Sequence, residues 1–330
     1  MKSRSSFKKL GVLTLVLVTI MIVVWFNAAN AQTSWPNRPI TLIVPWGAGG
    51  GTDIVVRSLA MAMEKDLKQP VNVVNRTGGS GLVGHTALAA AAPDGYTIGT
   101  INVDLCQLVS RGLTDLTYEK FTQIALLNSE AAGLVVRADS PFKTAQELLD
   151  TIKKDPPKTY KASGTGTGGI WHLAFAGWLW KAGVDPNKVP WVPSAGEGPS
   201  LKDLATGVID VVSPPLTTAL TLIRAGKVRA LANMDDKRFA ELPDVPTLKE
   251  ATGIDWQIYT WRMIGAPAGL PADLKNKLET AVKKAFESKE FTDFMNSRGF
   301  TKTWMDSAQA REFHKSQDKA IGDTMKAVGM

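Results

Sequence analysis

Two α/β lobes, each built on a largely parallel sheet, are the fold class the sequence predicts. Strand-length apolar runs alternate with helix-length segments, and several strand-to-helix joints are glycine turns. The alternation breaks twice, near 123–137 and 256–265, where long apolar segments without helix caps connect two such series.

In chain order, the first feature is a leader. Lys2, Arg4, Lys8 and Lys9 precede an uncharged apolar run over 10–26 and an Ala29-x-Ala31 site, the three parts of a secretory signal. Cleavage after Ala31 is the expectation. The run of about 17 residues is at the lower limit for a membrane span, so a retained anchor is the alternative. The 330-residue chain carries a net charge of +7; losing residues 1–31 removes four positive charges and leaves +3. With no basic run interleaved with aromatics in the remainder, nucleic acid is not an expected partner. Cys106 is the single cysteine, so no internal disulfide forms, and its leucine neighbours place it in the core.

The organising stretch is 40–53. Ile40-Thr-Leu-Ile-Val44 reads as a strand buried on both faces, ended by Pro45. Gly47, Gly49, Gly50 and Gly51 make a turn, and Thr52 or Asp53 is expected to cap the helix that follows. Such a joint aims free N–H groups and a partial positive charge at one point, an anion site. Val71-Asn-Val-Val-Asn75, the turn Arg76-Thr-Gly-Gly-Ser-Gly81, a helix over 82–92 and a strand over 96–101 complete the first series. A second begins near Lys158: strand 159–163, turn 164–169, tryptophan-rich helix 170–182, strand 189–192, turn 194–200 with its helix to Ala205, strand 207–212, helix 216–225 and strand 228–232. A loop at 242–247 and an extended 256–264 lead to C-terminal helices that must pack on one of the sheets. Residues 32–130 and 240–330 are expected to form lobe 1, and 131–239 lobe 2, with hinges near 123–137 and 256–265.

Two turns match Gly-x-Gly-x-x-Gly, at 79–84 and 164–169, so a dinucleotide site has to be weighed. Asp185 precedes its strand, Asp104 comes late, and an exported protein rarely meets nicotinamide cofactors. No turn carries the Gly-Lys-Ser/Thr of a phosphate loop. His85, His172 and His314 contain no His-x-x-x-His pair, and there is no Gly-x-Ser-x-Gly elbow. Neither a cofactor, a metal nor an enzymatic activity is therefore expected. His172, in the first turn of its helix, either donates to a bound carboxylate or is held structurally. Trp171, Trp178, Trp180 and Trp191 read mostly as core, whereas Trp46, inside a glycine turn, suits the apolar face of a ligand. Arg262 among apolar neighbours needs a partner, a structural acid by preference over the ligand.

Trp35-Pro-x-x-Pro-Ile40, Pro45-Trp-x-x-Gly-Gly-x-x-Asp53, Gly78-Gly-Ser-Gly81, Pro93-Asp-Gly-Tyr96, Gly207-x-Ile-Asp210, Gly226-Lys-Val-Arg-Ala230, Pro243-Asp-Val-Pro-Thr247 and Ala266-Pro-x-Gly-Leu-Pro271 occur in order. As a set they resemble the extracytoplasmic solute receptors of tripartite tricarboxylate transporters, the Bug receptors. The resemblance implies a type II periplasmic binding protein fold, with a small organic carboxylate (a di- or tricarboxylate or an aromatic acid) closed between two lobes. It also implies delivery to a permease with a large and a small subunit, and a chain working as a monomer; a sensing role with a signalling partner is the rival. The implied contacts are Trp46, Gly47, Ala48, Gly49, Gly50, Gly51, Thr52, Asp53 and Ser80 in lobe 1. In lobe 2 they are Thr165, Gly166, Thr167, Gly168, Gly169, His172, Ala195, Gly196 and Glu197. An acid at 197 would repel a second carboxylate or accept from an amine.

Overall fold

β1 (Ile40–Val44) is buried almost throughout, as its β-branched run demands. In the computed structural model, which describes residues 35–330, it sits inside a five-stranded sheet of order β2-β1-β3-β10-β4. Here β2 is Val71–Asn75, β3 Thr97–Asn102, β4 Phe121–Ala131 and β10 Tyr259–Pro267. β1 pairs with β2 and β3 in parallel, and β10 runs antiparallel to β3 and β4. A second sheet has the order β7-β6-β8-β5-β9, from β5 (Gly133–Arg137), β6 (Ala162–Ser163), β7 (Trp191–Val192), β8 (Val211–Val212) and β9 (Val228–Asn233). There β6 pairs in parallel with β7 and β8, and β5 is antiparallel to β8 and β9. The two sheets thus share one topology, and in each the inserted antiparallel strand, β10 or β5, comes from the far side of a crossing.

The predicted two-lobed α/β class is therefore borne out. The long apolar stretch at the first break is two consecutive strands, β4 and β5. Its first part, β4, stays in the first sheet, and the chain then passes straight into β5. Where the crossings meet, three segments are laced together: Met234 N–H donates to Ala132 O (2.7 Å), Ala132 N–H to Ile258 O (3.1 Å) and Ile258 N–H to Met234 O (3.3 Å).

Lobe 1 carries the helices α1 (Gly51–Leu67), α2 (Leu82–Ala89) and α3 (Asp104–Ser110), and lobe 2 carries α4 (Ala145–Lys154), α5 (Ile170–Lys181), α6 (Glu197–Ala205) and α7 (Leu216–Arg224). A short helix within the expected lobe 1 portion, α8 (Leu248–Thr252), packs on α4 and β9, and Trp256 lies against Gly177 of α5 with its indole N–H on Ala174 O at 2.9 Å. The expected return to lobe 1 at 240 is thus too early. Residues 240–256 cover lobe 2, because Thr247 bridges β9 through Asn233 and caps α8 with its own hydroxyl. The C-terminal helices α9 (Ala272–Glu287), α10 (Lys289–Arg298) and α11 (Ser307–Ala327) pack on α1, α3 and β4 of the first lobe. Residues 39–330 form one compact unit. The leader expected over 1–31 lies outside the described residues.

Among the tryptophans expected in the core, Trp171 and Trp178 are buried, Trp191 is half-buried, and Trp180 is exposed with Lys181 over its ring. Cys106 is buried as expected. Its sulfur lies with His314 and Asp318 in a group whose ligand-capable atoms are within 4.8 Å of one another. Gln123 gives its amide N–H to Tyr118 O (2.8 Å), so the same nitrogen donates to His314 Nδ1 at 3.1 Å. That leaves the imidazole proton on Nε2, the atom facing Asp318, where a metal would have to bind.

Burial also sets a pH dependence. It pushes His85 and His172 down to about 4 and His314 to about 3, so from pH 6.5 downward the unfolded chain takes up three protons that the folded one refuses. Stability from these residues is present at neutral pH and lost as pH falls toward 4. Asp104, which burial raises to about 6, acts in the opposite sense over pH 4–6. Glu197, Asp235 and Asp318, also raised by burial, act in the same sense as Asp104, and the three histidines, titrating from pH 6.5, set the sign between pH 7 and 5. The urea midpoint is expected to be lower at pH 5 than at pH 7; an equal or higher midpoint at pH 5 contradicts it.

Candidate functional site

The joint between β1 and α1 is built as a cradle. Gly50, in extended conformation (φ −72°, ψ 164°), is the N-cap of α1 and offers no side chain. Neither Thr52 nor Asp53 caps the helix, which corrects the sequence reading: they occupy its second and third positions. Asp53 instead reaches back under the turn. Its carboxylate accepts from Gly49 N–H (2.8 Å), Arg57 Nε (2.9 Å) and Asn75 Nδ2 (2.7 Å), and that Asn75 nitrogen also donates to Trp46 O (2.9 Å). Burial raises the Asp53 pKa, but these donors outweigh it and hold the carboxyl below the usual range. Gly84 lets α2 press on the end of β1, since a Cβ there would lie 2.6 Å from Pro45 Cα and 2.8 Å from Arg76 O.

Opposite stands the 165–169 turn of lobe 2. Gly169 N–H closes on Gly166 O at 3.1 Å, and Trp191 Nε1 and Ser194 N–H both donate to Thr165 O, at 3.0 and 3.2 Å. Gln107 of α3 donates to Gly168 O across the lobes at 3.1 Å. Between the two turns lies a cleft of about 1000 Å³. Its wall includes Trp46, Gly47, Ala48, Gly50, Gly51, Thr52, Ser80, Thr165, Gly166, Thr167, Gly168, Gly169, Ala195, Gly196 and Glu197, all expected from the sequence.

Three expected residues are elsewhere. Gly49 is an exposed part of the turn off the cleft wall, and its N–H is held by Asp53, which is buried beneath the turn. His172 is the larger correction. Its Nδ1 accepts Gly168 N–H at 3.0 Å and its ring stacks on Trp191 (4.6 Å, 23°), so it braces the turn from behind and lines a separate pocket. Burial lowers it to about 4, a neutral acceptor rather than a charged donor.

The helices explain what the cleft attracts. α1, α5, α6 and α7, the first three entered from glycine turns, all place their first turns on the cleft wall. None has a side-chain cap. Of the helices that begin elsewhere, α4, α8, α10 and α11 are capped by Thr144, Thr247, Ser288 and Asp306, while α2 and α9 have no side-chain cap. First-turn N–H groups without an internal partner must find one in water or in a ligand. The cleft is thus ringed by donors and positive dipole ends.

The sequence reading expected α7 as a helix but missed its place on the cleft wall, because Pro214-Pro215 rather than a glycine turn introduces it. With it come Thr217 and Thr218, which lie on the wall with Asn102, Asp104, Gln107, Glu130 and Arg262. Alternation along β4 and β10 could have paired the last two: Arg262 stands opposite Asn128 and Glu130 opposite Thr260, on one face of the sheet. Arg262 Nη1 bonds Glu130 Oε2 (3.1 Å) and Asn128 Oδ1 (3.2 Å), and its Nε bonds Thr52 Oγ1 (3.2 Å). The structural acid expected for Arg262 is Glu130, yet the guanidinium also faces the cleft. A Cβ on Gly51 would stand 3.1 Å from its Nη2.

Two α/β lobes of equal topology, laced at a double crossing and enclosing a cleft lined with donors, define a two-lobed solute-binding protein. The model of the tripartite tricarboxylate transporter family receptor matches residues 55–330, and the chain belongs to that family. A solute-binding protein of the same family from Polaromonas is 32% identical, with a TM-score of 0.80 over 89% of this chain and 99% of its own. MatC from Rhodopseudomonas palustris with bound malate is 26% identical (TM-score 0.71, 88% of this chain and 99% of that one). A further R. palustris protein, with adipate, is 25% identical (TM-score 0.75, 89% and 98%). The family is one of periplasmic solute receptors, not of enzymes.

Proposed function

We propose that this receptor captures a small organic carboxylate, a di- or tricarboxylate or an aromatic acid, between its lobes and presents it to a membrane permease of large and small subunits. Four uncapped helix N-termini meeting in one cleft carry the reading. One carboxylate docks on the turn formed by Trp46, Gly47, Ala48, Gly50, Gly51 and Thr52, with Ser80 beside it. The far end of the ligand meets residues 165–169 and 195–197. Backbone donors suit a carrier, since they complement an anion without gripping it as a buried arginine pair would. Closure depends on contacts that exist only when both lobes engage the ligand. Trp46 supplies an apolar wall against the ligand body. The chain acts outside the cytoplasm after cleavage behind Ala31, and works as a monomer. The bound malate and adipate of two structural neighbours support the carboxylate class.

Thermal unfolding against a panel of organic acids tests this. An acid at 100 times its dissociation constant is expected to add roughly 2.7 kcal/mol of stability. If no organic acid raises the unfolding temperature while other solutes do, the proposal is wrong.

A further inference from the structure

The cleft is lined by more acid than an anion site needs. Asp104, Glu130 and Glu197 all lie on its wall, and the guanidinium of Arg262 interacts with each of them. Glu130 takes the direct ion pair, supported by Asn128 and Thr217. Glu197 has only neutral partners: Trp171 Nε1 on one oxygen at 2.7 Å and Thr218 Oγ1 on the other at 2.9 Å. Burial raises its pKa above the ordinary glutamate range, and Glu130 adds repulsion.

The charge on Glu197 is not needed for these bonds. A glutamine could accept from Trp171 through its oxygen and donate to the Thr218 hydroxyl through its nitrogen. Its place at the start of α6 favours an anion, but only by a fraction of what burying a charge costs. A half-buried carboxylate that faces a ligand cleft, hydrogen-bonded only by neutral groups and sharing Arg262 with two other acids, is suited to a cation from the ligand.

We propose that the ligand is a carboxylate that also carries a protonated amine, its carboxylate on the helix N-termini and its ammonium group on Glu197. This rests on the carboxylate-receptor reading and narrows it to amino-substituted acids. Glu197 is then the specificity-determining residue. It rewards the ammonium and penalises a plain diacid, whose second carboxylate would meet it.

Titration calorimetry with matched pairs, succinate against aspartate and adipate against 2-aminoadipate, tests the assignment. In the unaltered protein the amino member of at least one pair should bind threefold or more tighter than its plain partner. Glu197→Gln should erase that preference while leaving the urea midpoint close to that of the parent, and Glu312→Gln, an exposed acid of α11 outside the cleft wall, serves as a comparison that should retain it. A preference below threefold in both pairs, or one that survives Glu197→Gln, overturns the inference. If plain diacids bind and the amino acids do not, only this inference fails. If no organic acid of any kind binds, the carboxylate-receptor reading falls with it.

Discussion

Arg262→Ala is expected to destabilise the protein by about 3–5 kcal/mol, because it strands Glu130 as an unpaired charge at the lobe's interior. The Glu130 side chain is 4% exposed and that of Arg262 12%, so the pair is largely withdrawn from water although it borders the cleft. The register of β4 and β10 makes the pair possible, and the fork of the guanidinium joins three elements through Thr52 of α1, Asn128 and Glu130. Lysine supplies one point charge in place of that fork, so Arg262→Lys should recover only part of the loss. Replacing both members, as in Arg262→Met with Glu130→Gln, should cost clearly less than Arg262→Ala, since no charge is then left alone. Urea unfolding of the four proteins checks this. A single mutant within 1 kcal/mol of the parent would show that the pair is solvated in practice.

Asp53→Ala is expected to cost about 3 kcal/mol of stability and to weaken ligand binding about fivefold or more. The carboxylate is 1% exposed and accepts from Gly49, Arg57 and Asn75; without it three donors lose a charged acceptor, at roughly 1–3 kcal/mol for a buried one. The loss in affinity has a separate cause. Asp53 holds the turn whose N–H groups receive the ligand, and loosening such an element costs about 1 kcal/mol, a factor of about five. Asp53→Asn keeps an acceptor for Gly49 and should show less than half of each effect. Calorimetric titration with an acid that binds the parent, together with urea unfolding, separates the two contributions. An unchanged dissociation constant would remove Asp53 from any role in the turn's function.

Much of this arrangement was legible in the sequence because the glycine turns carry it. Residues 46–52, 165–169 and 195–197 are where the chain passes from strand to helix largely through small residues, and all but Gly49 face the cleft. What local pattern does not encode is direction. Asp53 and His172 lie in first helical turns, yet both point beneath their turns, Asp53 toward Asn75 and His172 toward Trp191. Those neighbours come from other strands, at separations no spacing rule reaches. The Arg262–Glu130 pair spans 132 positions, and only the strand register brings it together. The early lobe boundary has a similar cause: Thr247 and Trp256 are assigned by what they touch in lobe 2, and neither contact has a local signature.

The central claim is that first-turn backbone N–H groups of α1, α5, α6 and α7 receive the ligand's charge. Amide proton and nitrogen chemical shifts followed during titration with a binding organic acid test it most directly. The account predicts the largest changes at Gly51, Thr52, Ile170, Glu197 and Thr217, on both lobes together. Changes confined to one lobe, or centred on the separate pocket at His172 and Trp191, would contradict it.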